Sequence, residues 1–309
     1  MLTIYHSPTD EQLIQIDHFE KGSWINLVNP TEEEINTVVE NTQIFHDFIR
    51  YPLDEEERPH IEYEDNQLLI IISVPIIQNA DVMYDTIPLG IIHTENHLVT
   101  VCLQDLDLMQ EFAQGRVKGL ATYKKTRFLL QILYKNAQLY LKYLRQIDQR
   151  STELELELHK SVQNKELIAL LNQEKALVFF TTSLRSNEIV LEKLLRGKFV
   201  KMYEEDEDLL QDVIIENKQA IEMADIYSNI LSGTMDAFAS LISNNLNIVM
   251  KHLAIVTIIL ALPTMVASFF GMNFDLPFQD SPYGFAITVG ISLLLSLTGV
   301  IYLIKKKLF

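Results

Sequence analysis

The stretch from Asn247 to Asn273, NIVMKHLAIVTIILALPTMVASFFGMN, restricts this chain more than any other part of it. Its uncharged part, Leu253 to Phe270, is 18 apolar or small residues long, about what a helix needs to cross a bilayer core. One side of that helix is not oily. Asn247, Met250, Ala254, Thr257, Ala261, Thr264 and Ser268 recur every three or four residues and so share a face. Ile255, Ile258, Ile259, Leu262, Val266 and Phe269 occupy the rest. Small residues let helices approach closely in lipid, so the stripe suits a helix–helix seam. It suits the wall of a pore equally well, and periodicity alone admits both.

The span ends at Gly271-Met272-Asn273-Phe274. A loop of about ten residues follows, then a second apolar run from Tyr283 to Ile304 without a charged side chain, then Lys305-Lys306-Lys307. A Gly-Met-Asn string in this position, after a long charged helix and before a second span with a lysine tail, resembles the CorA family of divalent-cation channels. The resemblance covers the C-terminal third closely and the rest in outline. It implies an α+β membrane protein: an N-terminal cytosolic α/β domain, a long helical stalk and two C-terminal transmembrane helices, assembled as a homopentamer around a pore lined by the first span.

The ~250 residues before the first span suffice for one sizeable soluble domain or two small ones. Net charge is −17, and the part before the loop, with 22 basic against 40 acidic residues, carries −18. Such a part repels nucleic acid and anionic lipid and concentrates cations, although solubility accounts for most of these charges. Cys102 is the single cysteine, which excludes an intrachain disulfide and a cysteine-based zinc site. The start, MLTIYHSPTDEQL, has neither the basic opening nor the apolar core of a signal peptide. Loop residues 274–282 hold no Lys or Arg, whereas Lys251 and Lys305–Lys307 flank the other ends of the spans. The positive-inside rule then places both termini in the cytosol and the short loop outside a multi-pass protein of the plasma membrane.

Along the chain, residues 1–120 read as mixed α/β. Ser23–Val28 is a strand, and Asn29-Pro30-Thr31-Glu32 starts a helix, with a capping residue, Pro at the first position and acids in the first turn. His60–Tyr63 and Gln67–Ile77 flank Glu64-Asp65-Asn66 as in a hairpin; Ile87–His93 and Leu98–Leu103 flank Thr94-Glu95-Asn96 likewise. His93 and His97 could be taken for a metal pair, but their place beside a turn favours exposed hairpin residues. Residues 121–246 are helical and include the start of the stalk. Asn164 and Gly197 are breaks, and the alternating run Glu153–Leu158 is helix because Glu and Leu are strong helix formers. The acidic cluster Glu204–Asp208 suits a helix N-terminus. No proline follows until Pro263, so one helix of ~63 residues and ~95 Å runs into the membrane. Residues 247–273 form its pore-lining end, 274–282 the external loop, 283–304 the second span and 305–309 a basic tail.

No enzyme motif is present: no phosphate-binding glycine loop, nucleophile elbow or helical histidine pair with an intervening glutamate. Mg²⁺ binds six oxygens and sheds its waters reluctantly. A ring of Asn273 side chains, with Gly271 carbonyls nearby, would hold the hydrated ion through neutral acceptors. Gly271 and Asn273 are also favoured helix C-caps, and both roles are compatible. The resemblance makes Gly271, Met272 and Asn273 a selectivity filter and Asn247, Met250, Leu253, Thr257, Thr264 and Ser268 the pore lining. Met250 and Leu253 are apolar enough to close a pore by dewetting. The resemblance also implies regulatory Mg²⁺ ligands at Asp236 and Asp212.

The chain departs from the family pattern at two places. Counting back from Arg58-Pro59-His60-Ile61-Glu62, the usual aspartate partner falls at Tyr51; and Ala261 stands where some members carry a pore-facing methionine. The expected function is uptake of Mg²⁺, with Co²⁺ and Ni²⁺, down the membrane potential, gated by cytosolic Mg²⁺ and without an organic cofactor. Its partners are copies of itself, the lipid bilayer and divalent cations. A zinc transporter of the same fold is the alternative. A two-span membrane-anchored sensor or scaffold is another, although a scaffold has no use for Asn, Thr and Ser on one face of its span.

Overall fold

The computed structural model describes residues 1–9, 12–78, 83–160, 164–272 and 282–305. These divide into two compact units, Met1–Thr234 and Met235–Phe309.

The first unit holds seven strands: β1 (Leu2–Thr9), β2 (Gln12–Ile16), β3 (Trp24–Val28), β4 (His60–Glu64), β5 (Gln67–Gln78), β6 (Met83–His93) and β7 (Leu98–Cys102). Its helices are α1 (Glu32–Thr42), α2 (His46–Arg50), α3 (Asp107–Ala113), α4 (Lys125–Lys160), α5 (Asn164–Gly197) and the first part of α6 (Glu204–Phe270). The strands form one sheet in the order β2-β1-β3-β7-β6-β5-β4. Among the described strands only β3 and β7 run parallel, with Trp24 opposite Leu98 and Val28 opposite Cys102. β1 and β2 extend the sheet beyond β3. Their sequences carry little strand signal, because His6, Ser7 and Pro8 interrupt the apolar alternation of β1 and β2 is short and largely exposed.

β5 reads QLLIIISVPIIQ, apolar at nearly every position, because helices cover both faces of the sheet. Leu68, Ile70, Ile72 and Val74 point into the cluster containing Phe112 of α3, Phe128 and Leu129 of α4 and Val190 and Leu194 of α5. Leu69 and Ile71 point to the other side, where Ile35, Val38, Phe48 and Ile49 of α1 and α2 close over them. β4 and β5 are joined through Asp65 and Asn66 at φ 43° and 63°, the left-handed pair of a two-residue hairpin.

Helix α1 begins two residues later than the sequence suggests. Thr31 is the cap: its hydroxyl accepts the Glu34 N–H, and the Glu34 carboxylate accepts the Thr31 N–H. Pro30 therefore precedes the cap and is not the first helical residue. β4 begins at His60, opposite Ile71. Beyond it, Asn187 of α5 does the work of a strand neighbour, accepting the Ser73 N–H and donating to the Ser73 carbonyl, both at 2.9 Å. The run Glu153–Leu158 lies within α4, and α5 ends at Gly197, where a Cβ would meet the Phe199 ring at 2.0 Å.

The two histidines beside the β6–β7 turn differ from expectation. His97 is 7% exposed, with Nδ1 at 3.0 Å from the Ser23 hydroxyl. The His93 ring is largely enclosed, and its Nε2 has no hydrogen-bond partner. Burial, reinforced by the Lys125 ammonium, lowers the pKa of His93 to about 4 and shifts that of His97 in the same direction. Lys125 itself donates to the Thr94 carbonyl at 2.8 Å and to that of Glu95. The start of α4 thus covers a turn that sequence polarity alone marks as exposed.

The second unit holds the rest of α6 and α7 (Gly284–Lys305). Both helices are long and apolar enough to cross a membrane. α6 is a single helix of 67 residues with Pro263 inside it.

Candidate ion pathway

The geometry of the span shows which side of α6 the polar stripe occupies. Within Leu253–Phe270 the buried and half-buried residues are Ile255, Ile259, Leu262, Pro263, Val266 and Phe270. At 100° per residue these share one side of α6. Leu262 meets α7 there: a Cβ on Gly299 would stand 3.2 Å from the Leu262 Cδ1. On α7 the half-buried positions Thr288, Ser292, Ser296 and Gly299 recur every three or four residues, so the small-residue seam belongs to α7.

The stripe on α6 lies on the opposite side. Asn247, Met250, Leu253, Ala254, Thr257, Ala261, Thr264 and Ser268 are all exposed, Met250 at 56% and Leu253 at 60%. The Thr257 hydroxyl donates to the Leu253 carbonyl at 2.8 Å and that of Thr264 to the Leu260 carbonyl at 2.9 Å. With their protons committed, these hydroxyls offer the outside only oxygen lone pairs, which is the polarity a cation or its water shell requires.

At the end of α6, Gly271 donates to the Ala267 carbonyl at 3.0 Å and Met272 to that of Phe269 at 3.3 Å. Gly271 closes the helix without left-handed backbone and is exposed, as is Met272. Asn273 and residues 274–281 lie outside the described residues, as do Lys306 and Lys307.

The two aspartates expected to regulate are both exposed on α6. Asp212 and Asp236 stand 24 residues apart in sequence on α6 and belong to different units. Asp212 belongs to the first unit, beside the core residues Leu210 and Val213. Asp236 belongs to the second, and Ser240 donates to its carbonyl at 3.0 Å. Tyr51 opens a short 3-10 turn, Tyr51–Leu53. That turn lies tight on β6, since a Cβ at Gly90 would stand 2.1 Å from the Pro52 ring. The Tyr51 phenol has a raised pKa because Glu62, and after it Asp47, Glu57 and Glu64, surround it with negative charge. Among the described residues no three His, Cys, Asp or Glu side chains converge as a metal-binding group.

A family model described as CorA-like Mg²⁺ transporter protein matches residues 19–306. The chain belongs to that family. It is 28% identical over 294 residues to the cobalt/magnesium transport protein CorA of Methanocaldococcus jannaschii, covering 92% of this chain and 90% of that one. The complete structure of the CorA magnesium transporter from the same organism superposes with a TM-score of 0.84 at 25% identity, covering 98% of this chain and 96% of that one. The ZntB cytoplasmic domain of Vibrio parahaemolyticus shares the fold at a TM-score of 0.61 and 16% identity, over 79% of this chain and 96% of its own. The chain is accordingly a multi-pass membrane transporter of the CorA family and not an enzyme, with an N-terminal α/β unit, a long helix and two apolar helices.

Proposed function

We propose that the chain is the subunit of a homopentameric channel that admits Mg²⁺, and with it Co²⁺ and Ni²⁺, to the cytosol. The observation that carries this reading is the stripe on α6: polar, uncovered within the chain, and opposite the face that meets α7. A helix that needed the stripe only to pack on its own neighbour would turn it inward. Around a symmetry axis the same stripe lines a path in which Asn247, Thr257, Thr264 and Ser268 receive the ion's water shell and Met250 and Leu253 form the constriction. Gly271, Met272 and Asn273 form the selective entrance, where neutral acceptors hold a hydrated ion without stripping it. A potential of ~100 mV contributes about 4.6 kcal/mol per divalent ion, so no energy-supplying site is required.

Gating belongs to the acidic stalk. Mg²⁺ bound at Asp236 offsets repulsion among the equivalent carboxylates of neighbouring copies and favours the closed assembly, and Asp212 acts at a second site. A coupling of ~1–3 kcal/mol shifts the open fraction about 5- to 150-fold. The test is ion flux into proteoliposomes with Mg²⁺, Co²⁺ and Zn²⁺ in parallel, with and without a potential. Mg²⁺ entry should follow the potential, and Asn273→Ala should largely abolish it while the oligomer survives detergent extraction. Full uptake by a well-assembled Asn273→Ala protein would reduce that residue to a helix cap, and preferential Zn²⁺ entry would establish the alternative cargo.

A further inference from the structure

In a chain of net charge −17, the span ends remote from the loop are basic. No Asp or Glu occurs in residues 237–274 or 281–309, which hold Lys251 and Lys305–Lys307. Lys251 is exposed one turn before Ile255, which is 7% exposed, and lies ~20° round α6 from Leu262. On α7, Tyr302 is 60% exposed and Lys305 is exposed; they stand ~60° and ~120° round from Gly299. Leu262 and Gly299 mark where the two helices meet. Two spans joined by the short segment 271–283 cross a bilayer in opposite directions. The turns from Leu262 to Lys251 and from Gly299 to Tyr302 and Lys305 have the same sense, so in antiparallel helices all three side chains fall on one side of the pair. Their depths agree as well. From that contact Lys251 is 11 residues (~17 Å) and Lys305 six residues (~9 Å) toward the same end. Long lysine side chains bridge the remaining offset by snorkelling. Lys251 is also 20 residues, ~30 Å, from Gly271, about the thickness of a bilayer core. Nearer the middle of the spans, the same side exposes Ile258 and Met265 of α6 and Ile291 and Leu295 of α7.

We propose that Lys251, Tyr302 and Lys305 hold the headgroup of an anionic phospholipid, with an acyl chain along the Ile258–Leu295 side of the helix pair. A phosphodiester carries negative charge and offers hydrogen-bond acceptors only. Two ammonium groups and a phenol supply the matching charge and donors. The apolar strip that continues from them selects a lipid over a free phosphate, which has nothing to place there. Each lysine near an anionic lipid surface contributes about fivefold in affinity, so the pair contributes about 25-fold. In the orientation read from the lysine asymmetry, the lipid belongs to the cytosolic leaflet. The site lies on one chain and away from the polar stripe, so it requires neither five copies nor a conducting pore.

The test is native mass spectrometry of the full chain in a neutral detergent, titrated with dioleoylphosphatidylglycerol and, in parallel, dioleoylphosphatidylcholine. No ion gradient or membrane orientation enters the measurement, so its failure leaves the transport proposal untouched. The expected result is one phosphatidylglycerol retained per chain, with phosphatidylcholine held about tenfold more weakly or less. Lys251→Gln with Lys305→Gln should weaken phosphatidylglycerol binding about 25-fold, and Lys251→Arg with Lys305→Arg should preserve it. Val249 is 60% exposed and ~160° round α6 from Lys251. Val249→Lys with Lys251→Gln therefore keeps the net charge and nearly the depth but moves the ammonium to the other side. This variant should bind about fivefold more weakly than the parent, as Lys251→Gln alone does. Lys305→Gln alone repeats the arm if the double glutamine variant does not fold. Parent-like binding by the relocated lysine would mean diffuse attraction and overturn the site. So would equal retention of the two lipids, or release of phosphatidylglycerol by millimolar inorganic phosphate, which would assign the charges to a soluble anion.

Discussion

His93 shows how one residue's surroundings overrule its sequence context. Beside a polar turn it reads as exposed, but the start of α4 encloses it and holds its pKa at about 4 against an ordinary 6.5. The unfolded chain therefore binds a proton between those values that the folded chain does not. Stability is full above about pH 6.5 and declines as the pH falls toward about 4, by up to ~3 kcal/mol from this group. Melting curves from pH 7 to 4 should show His93→Gln losing less stability than the parent on acidification; parallel profiles would contradict the assigned burial. Tyr51 teaches the complementary lesson. The family pattern marks it as a missing acid, whereas its phenol sits amid Glu62, Asp47, Glu57 and Glu64. Tyr51→Asp should move Mg²⁺-dependent protease protection of the stalk to lower Mg²⁺, and Asp236→Ala should weaken that protection. If neither variant shifts the curve, these positions have no part in gating and Asp212 is next to be tested.

At the scale of elements, the long helix was the most legible part of the chain. Its acidic start, proline-free length and polar stripe are all local patterns, and local patterns survive folding when a helix is long. Less legible was which face of α6 meets what. Periodicity locates a stripe but not its neighbour, and the decisive contact, Leu262 with Gly299, joins residues far apart in sequence. The hairpins were readable from turn chemistry such as Asp65-Asn66, whereas β1 and β2 owe their place to pairing with β3 and with each other. The seam makes a paired prediction. Gly299→Leu should push α7 off Leu262 and lower the melting temperature of the detergent-solubilised chain by several degrees. Gly290→Leu, where a Cβ meets nothing within 4 Å, should leave it nearly unchanged. Equal effects would place the seam elsewhere.

For the whole molecule, the lysine asymmetry predicts that both ends of the chain lie on the cytosolic side. Cysteines at Gln279 and at the C-terminus should label from opposite sides of the membrane. The native Cys102 will not interfere, since burial, aided by Asp105, pushes its thiol up to about 12 and keeps it unreactive. Labelling of both sites from outside would reverse the orientation. The hydroxyls within the two spans bear on how such a molecule is made. Thr257, Thr264, Thr288, Ser296 and Thr298 each donate to the carbonyl four residues back in their own helix. A newly synthesised subunit thus enters lipid with these protons already satisfied. If copies of the chain assemble as proposed, a lone subunit can diffuse in lipid without exposing these donors, so its encounter with other copies need not be coupled to translation.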